Sequence, residues 1–88
     1  MTDATVITVY SKSNCQPCRA TKRKLDMLGL PYVEVDLDHS PEDVEKLRAL
    51  GYQESPVVDV AGAPEGMPKR TWSGYRPDLL TTLADLIP

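Results

Sequence analysis

Both cysteines of the chain lie in Cys15-Gln16-Pro17-Cys18, between an apolar run and an amphipathic one. This pair constrains the fold more than any other feature. The run before it, Val6 to Tyr10, has the Val and Ile content of a strand buried on both faces. The run after it, Arg19 to Leu28, reads as a helix, with Asn14 to Pro17 as the turn that leads into it. The dithiol therefore sits where a strand gives way to a helix. Residues three apart on a helix share a face, roughly 5–6 Å apart at Cβ. That is close to the separation a disulfide spans, so the bond can close and open without refolding the domain. A C-x-x-C beside a strand–helix–strand pattern reads as a redox motif.

The position favours a thiolate at Cys15. The first N–H groups of a helix lack intrahelical partners, and the dipole is positive there. Lys12 lies three residues upstream, and Arg19, Lys22, Arg23 and Lys24 follow. A free thiol titrates near 8.5, and a dithiol of this kind near 7, a change worth roughly 2 kcal/mol. Pro17 suits an early helical position, where its missing N–H would have been unpaired.

Two structural roles compete. A zinc site wants four ligands, and His39 is the one further nitrogen or sulfur donor of the usual kind. A purely structural disulfide would close a very small loop and constrain little. Neither explains the surrounding positive charge, so no metal is expected.

Helical spacing puts Cys18, Thr21, Leu25 and Leu28 on one face, and Gly29 ends the helix. Pro31 opens a second strand, Tyr32 to Asp36, which completes a right-handed parallel unit. Ser40 is an N-cap, Pro41 the first helical residue, and Glu42 and Asp43 complement the dipole. Val44, Leu47 and Leu50 mark that helix's apolar side, and Gly51 closes it. The acids from Glu34 to Glu45 read as a solvated face, with His39 an exposed polar residue.

A third strand spans Ser55 to Val60, and a turn with Gly62, Pro64, Gly66 and Pro68 follows. Lys69 to Trp72 is a short fourth strand. Leu79, Leu80, Leu83, Ala84 and Ile87 form the buried side of a last helix. Short connections give a four-stranded mixed sheet of order 2-1-3-4, flanked by three helices, in one α/β domain over residues 1–88.

A net charge of −3 without a basic stripe argues against a nucleic-acid partner. The polar, acidic opening Met1 to Thr5 lacks the pattern of a leader, and no apolar run is long enough for a membrane span. A cytoplasmic protein is expected, and in a reducing compartment a cysteine pair is more often catalytic than structural.

Two further stretches carry a resemblance. Ser55-Pro56 opens the third strand, and Trp72-Ser73-Gly74-Tyr75-Arg76-Pro77-Asp78 precedes the last helix. With the Val6–Tyr10 strand and the dithiol, Ser55-Pro56 resembles the thioredoxin fold, in which a cis proline at this place faces the dithiol. The seven residues from Trp72 resemble the W-S-G-F-R-P-D signature of the NrdH-redoxins, with Tyr75 in place of Phe. Tyr10-Ser11-Lys12-Ser13 and Leu50-Gly51-Tyr52 are similar to the same family. The sequence departs from it at Gln16-Pro17, where Pro17 is the thioredoxin choice, and in the longer segment Ala61 to Thr71.

The resemblance implies a thioredoxin fold and a dithiol–disulfide oxidoreductase with no bound cofactor beyond the Cys15–Cys18 disulfide. It implies electrons from an NADPH-dependent thioredoxin reductase, passed to class Ib ribonucleotide reductase or another disulfide-containing protein. Cys15 and Cys18 are then catalytic, supported by Lys12, Gln16, Pro17, Ser55 and Pro56. Trp72, Ser73, Gly74, Tyr75, Arg76 and Pro77 hold the partner, and the protein acts as a monomer. Two other readings remain: a glutaredoxin that uses glutathione or another small thiol, and a binding module switched by the same disulfide. Against glutathione, Arg76 stands at the turn where glutaredoxins place an acid for the γ-glutamyl ammonium.

Overall fold

The computed structural model describes residues 4–87. Met1 to Asp3, the start of the acidic opening, lie outside the described residues, as does Pro88. The elements are β1 (Val6–Ser11), α1 (Gln16–Met27), β2 (Val33–Asp36), a 3₁₀ turn (Leu37–His39), α2 (Pro41–Ala49), β3 (Val57–Ala61), β4 (Thr71–Ser73) and α3 (Pro77–Leu86). The sheet order is β2-β1-β3-β4, as expected from the connections. β1 pairs parallel with β2 and antiparallel with β3, and β3 and β4 are antiparallel.

Register decides which residues face which layer. Val9 pairs with Val58, Ile7 with Val60, and Trp72 with Val58, so all five project to the same face. On that face they pack with Leu25 of α1 and Leu79, Leu80 and Leu83 of α3. The neighbouring pair Tyr10 and Val57 projects to the other face, towards Leu47 of α2. β1 is therefore not buried on both faces: Ile7, Val9 and Ser11 are buried, whereas Thr8 and Tyr10 are half-buried. The cause is α2, whose nine residues bury a single side chain, Leu47. Leu50, expected on its apolar side, is 66% exposed.

Smaller differences are local. α1 begins at Gln16 rather than near Arg19, because Pro17 is accommodated inside the first turn. β2 begins at Val33, two residues past Pro31, which has no N–H for a ladder. β4 starts two residues later and ends one residue later than expected, at Thr71–Ser73, where it pairs with Val57 to Asp59 of β3. Ser40 precedes α2 as expected, but its side chain makes no capping bond.

Candidate functional site: a dithiol at a helix N-terminus

Cys15 and Cys18 form a disulfide, with Cα atoms 5.2 Å apart. Cys15 is the N-cap of α1. Its φ of −124° and ψ of 105° are extended, and its Sγ accepts a hydrogen bond from the Cys18 N–H at 3.1 Å. An N-cap side chain ordinarily supplies oxygen to an orphan N–H. Here sulfur fills that place, and on reduction the same N–H faces a thiolate. No acidic residue occupies the first turn of α1, so nothing there opposes the dipole. Cys15 is 6% exposed and Cys18 1%, so Cys15 is the more exposed of the two cysteines.

A second element completes the surroundings of Cys15. The Ser55–Pro56 peptide is cis, as the resemblance implied. Ser55 presents two oxygens to Cys15 Sγ, the carbonyl at 3.7 Å and Oγ at 3.6 Å. After reduction the Ser55 hydroxyl is a donor within reach of the thiolate, alongside the Cys18 N–H. The Gly74 N–H donates to the Pro56 carbonyl at 2.8 Å, which draws the turn after β4 against this loop. Gly74 has φ +82°, a conformation that suits glycine.

These contacts bound a groove of about 560 Å³ beside the disulfide. Pro17, Glu54 and Ser55 line one part of it, Ser73 to Arg76 another, and Lys12 also contributes. A second cavity, of about 370 Å³, lies between Ser55 and α2 and shares Lys12 and Glu54.

Of the residues singled out from the sequence besides the two cysteines, Lys12, Pro17, Ser55 and Ser73 to Arg76 line the groove, and Gln16, Pro56, Trp72 and Pro77 do not. Gln16 is exposed and opens α1. Pro77 is exposed and opens α3. Trp72 is 3% exposed and belongs to the core, so its ring packs the sheet against α1 and α3 and offers no face to a partner. Arg76 is paired with Asp78, one of the acids its place in the sequence makes available. Its Nε and Nη2 donate to Asp78 Oδ1 and Oδ2 at 3.1 and 2.9 Å. This fork holds the Asp78 carboxyl below the usual carboxylate range.

Three contributors escaped the sequence reading. Asn14 stands in the left-handed region, φ 55°, just before Cys15. Asparagine tolerates that conformation, which was the available signal. Asp38 accepts from the Ser13 N–H at 3.0 Å and from the Ser13 hydroxyl at 2.7 Å. It thereby ties the β2–α2 connection to the loop that carries the dithiol. These bonds, the hydroxyl's first, hold the Asp38 carboxyl low. Asp36 in turn accepts from the Asp38 N–H and pairs with His39, whose pKa it raises. Glu54 reaches the turn after β4: a Cβ built on Gly74 would lie 3.3 Å from Glu54 Oε1. A carboxylate therefore does stand at this turn, supplied by a different element from the one expected.

A related network braces α1. Lys22 Nζ lies 2.8 Å from Glu34 Oε2, which also accepts from the buried Ser11 hydroxyl at 2.7 Å. Both bonds, that of Lys22 first, lower the Glu34 pKa. Among the described residues no cluster of His, Cys, Asp and Glu has the makings of a metal site. No helix there is long and apolar enough to cross a membrane.

Comparison with known proteins places this arrangement. The glutaredoxin family matches residues 7–63, from β1 past the dithiol and the cis proline to the end of β3. The Escherichia coli K12 glutaredoxin-like protein NrdH is 39% identical over 77 residues, which is 88% of this chain and 86% of that protein. The chain belongs to the NrdH glutaredoxin-like proteins. The NrdH of Lactococcus lactis MG1363 is 35% identical over 82 residues, 90% of this chain and the whole of that protein. The structure of Escherichia coli NrdH-redoxin superposes with a TM-score of 0.76 at 38% identity, covering 93% of this chain and 95% of that one. A glutaredoxin from Archaeoglobus fulgidus, at 20% identity and a TM-score of 0.70, shares the fold. As an NrdH-type protein, the chain is a thiol–disulfide redox protein, and Cys15 and Cys18 form its redox-active disulfide.

Proposed function

We propose that this protein is a cytoplasmic, single-domain, monomeric electron carrier that reduces protein disulfides, with class Ib ribonucleotide reductase as its partner and thioredoxin reductase as its source of electrons. The observation that carries the reading is Cys15 at the N-cap, with the Cys18 N–H on its sulfur and the Ser55 oxygens beside it. The Escherichia coli NrdH-redoxin, similar over nearly the whole chain, is described as having a thioredoxin-like activity profile.

The exchange has two steps. The Cys15 thiolate attacks one sulfur of the partner's disulfide; a new S–S bond forms, the old one breaks, and the leaving sulfur takes a proton from water. The Cys18 thiol then gives up its proton and attacks the Cys15 sulfur, which expels the second partner thiolate. Two electrons pass to the partner, and Cys15–Cys18 is left oxidised. NADPH, through the reductase, returns the two electrons. Lys12 and Ser55 stabilise the thiolate, Pro17 shapes the rim, and Ser73, Gly74, Tyr75 and Arg76 form the wall against which the partner lies.

The test compares NADPH oxidation with two reducing systems at matched protein concentration and one disulfide substrate. Thioredoxin reductase is expected to sustain the faster turnover. Faster turnover with glutathione and glutathione reductase would make the protein a glutaredoxin in activity. Absence of turnover with both would favour the binding-module reading.

A further inference from the structure

The groove's charge is not what its residue types suggest. Of its charged groups, Arg76 is committed to Asp78 through two hydrogen bonds, so its cation is compensated in place. Glu54 is exposed, makes no hydrogen bond or ion pair among the described residues, and lines both the groove and the adjoining cavity. It directly precedes Ser55, whose oxygens flank Cys15 Sγ, and its carboxylate extends to Gly74 on the opposite wall. Gly74 leaves that space open, since any side chain there would crowd the carboxylate. A partner segment laid along Ser55 with its cysteine at Cys15 therefore has the Glu54 carboxylate beside a neighbouring side chain.

We propose that Glu54 is a specificity-determining residue that selects partner segments carrying a Lys or Arg next to the disulfide cysteine. The proposal rests on the oxidoreductase reading above and adds which protein disulfides are preferred. The argument is charge complementarity. Glu54 is the groove's uncompensated anion, and a partner cation gains an attraction that water does not fully screen at contact distance. Lys12 lines the same groove and has no ion pair among the described residues, so an acid elsewhere on the segment is tolerated and does not reverse the preference. Glu54 takes no part in bond making. Its effect is on encounter and on the stability of the docked complex.

The experiment uses the full chain, reduced, with three end-blocked peptides whose disulfides differ in one flanking residue: Lys, Gln or Glu. An exposed ion pair alters an equilibrium constant by up to about fivefold. With attraction on one side and repulsion on the other, kcat/KM is expected to favour the Lys peptide over the Glu peptide by about three- to tenfold, mainly through KM. Glu54→Gln is expected to bring that ratio near one, and Glu54→Lys to invert it. Raising the salt should shrink the ratio in the wild type. A wild-type ratio near one, with all three peptides reduced, would overturn the proposal and leave the oxidoreductase reading in place. A ratio that survives Glu54→Gln would also overturn it. Failure to reduce any of the peptides would overturn both. One further arm measures glutathione disulfide, whose ammonium is a cation of different origin. If Glu54→Gln affects that substrate and leaves the peptide ratio as it was, the carboxylate reads a small thiol, and the protein-segment proposal falls.

Discussion

Thr21 offers a perturbation whose sign follows from the structure. It lies one turn after Cys18 on the buried side of α1, is 0% exposed, and its Oγ1 has no hydrogen-bond partner among the described residues. A buried hydroxyl left unpaired costs about 1–3 kcal/mol. Thr21→Val replaces it with a methyl group of nearly the same size, and Thr and Val have similar helix propensities. The oxidised protein should therefore gain about 1 kcal/mol or more, the lower bound of that range, which raises Tm by roughly 4–8 °C in a domain of this length. The assay is denaturant unfolding of the oxidised protein, followed by a far-ultraviolet signal, with the midpoint rising at unchanged slope. The same measurement on the reduced protein should show a smaller gain, since the freed Cys18 thiol is then a neighbour for the hydroxyl on the same helix face. A loss of stability in the oxidised Thr21→Val protein would refute the reasoning, because it would mean that the hydroxyl is satisfied in solution.

Three other outcomes follow from particular contacts. Trp72→Ala should cost about 3–5 kcal/mol by opening the core, whereas Arg76→Ala should barely move the unfolding midpoint; a Trp72→Ala protein of normal stability with impaired partner reduction would contradict the core assignment. Gly62 has φ +68°, and a Cβ there would lie 2.5 Å from the Ala4 carbonyl oxygen, so Gly62→Ala should lower stability by more than the roughly 1–2 kcal/mol of the left-handed strain alone, as an unchanged Tm would disprove. The Asp38 carboxyl is depressed by the Ser13 bonds, so its contribution is present above about pH 4, the ordinary carboxylate value, and is lost as pH falls through the lowered folded value. A Tm series from neutral pH into acid should be flatter for Asp38→Ala than for the wild type, and equal slopes would refute the clamp.

Much of this architecture was legible in the sequence because local signals agreed with one another. A β-branched run, a C-x-x-C with Pro17 inside, Gly29 and Gly51 after helices, and Ser55-Pro56 before a strand each point to the same strand and helix order. The redox-active pair was legible for the same reason, since a disulfide between Cys15 and Cys18 depends on their spacing at the start of one helix. What stayed hidden depends on contacts between distant segments. Asp38 reads as one acid among many until the fold sets it 25 residues back along the chain, against Ser13. Glu54 reads as a loop residue until the Gly74–Pro56 hydrogen bond brings the turn after β4 beside it. Trp72 reads as part of a partner-binding signature until strand pairing sends it into the core. Leu50 carries an apolar label that helical spacing would bury, but α2 ends before it and leaves it exposed.

The central claim is that Cys15, at the N-cap, is the attacking sulfur. Alkylation of the reduced protein with iodoacetamide at neutral pH, resolved by peptide mass spectrometry over a short time course, tests it most directly. Cys15 has the Cys18 N–H and the Ser55 hydroxyl to stabilise its thiolate and is the more exposed of the two cysteines. The account predicts that Cys15 is labelled well before Cys18, and that Cys18→Ser traps a mixed disulfide with a substrate protein while Cys15→Ser traps none. Labelling of Cys18 first, or trapping by the Cys15→Ser protein, would contradict it.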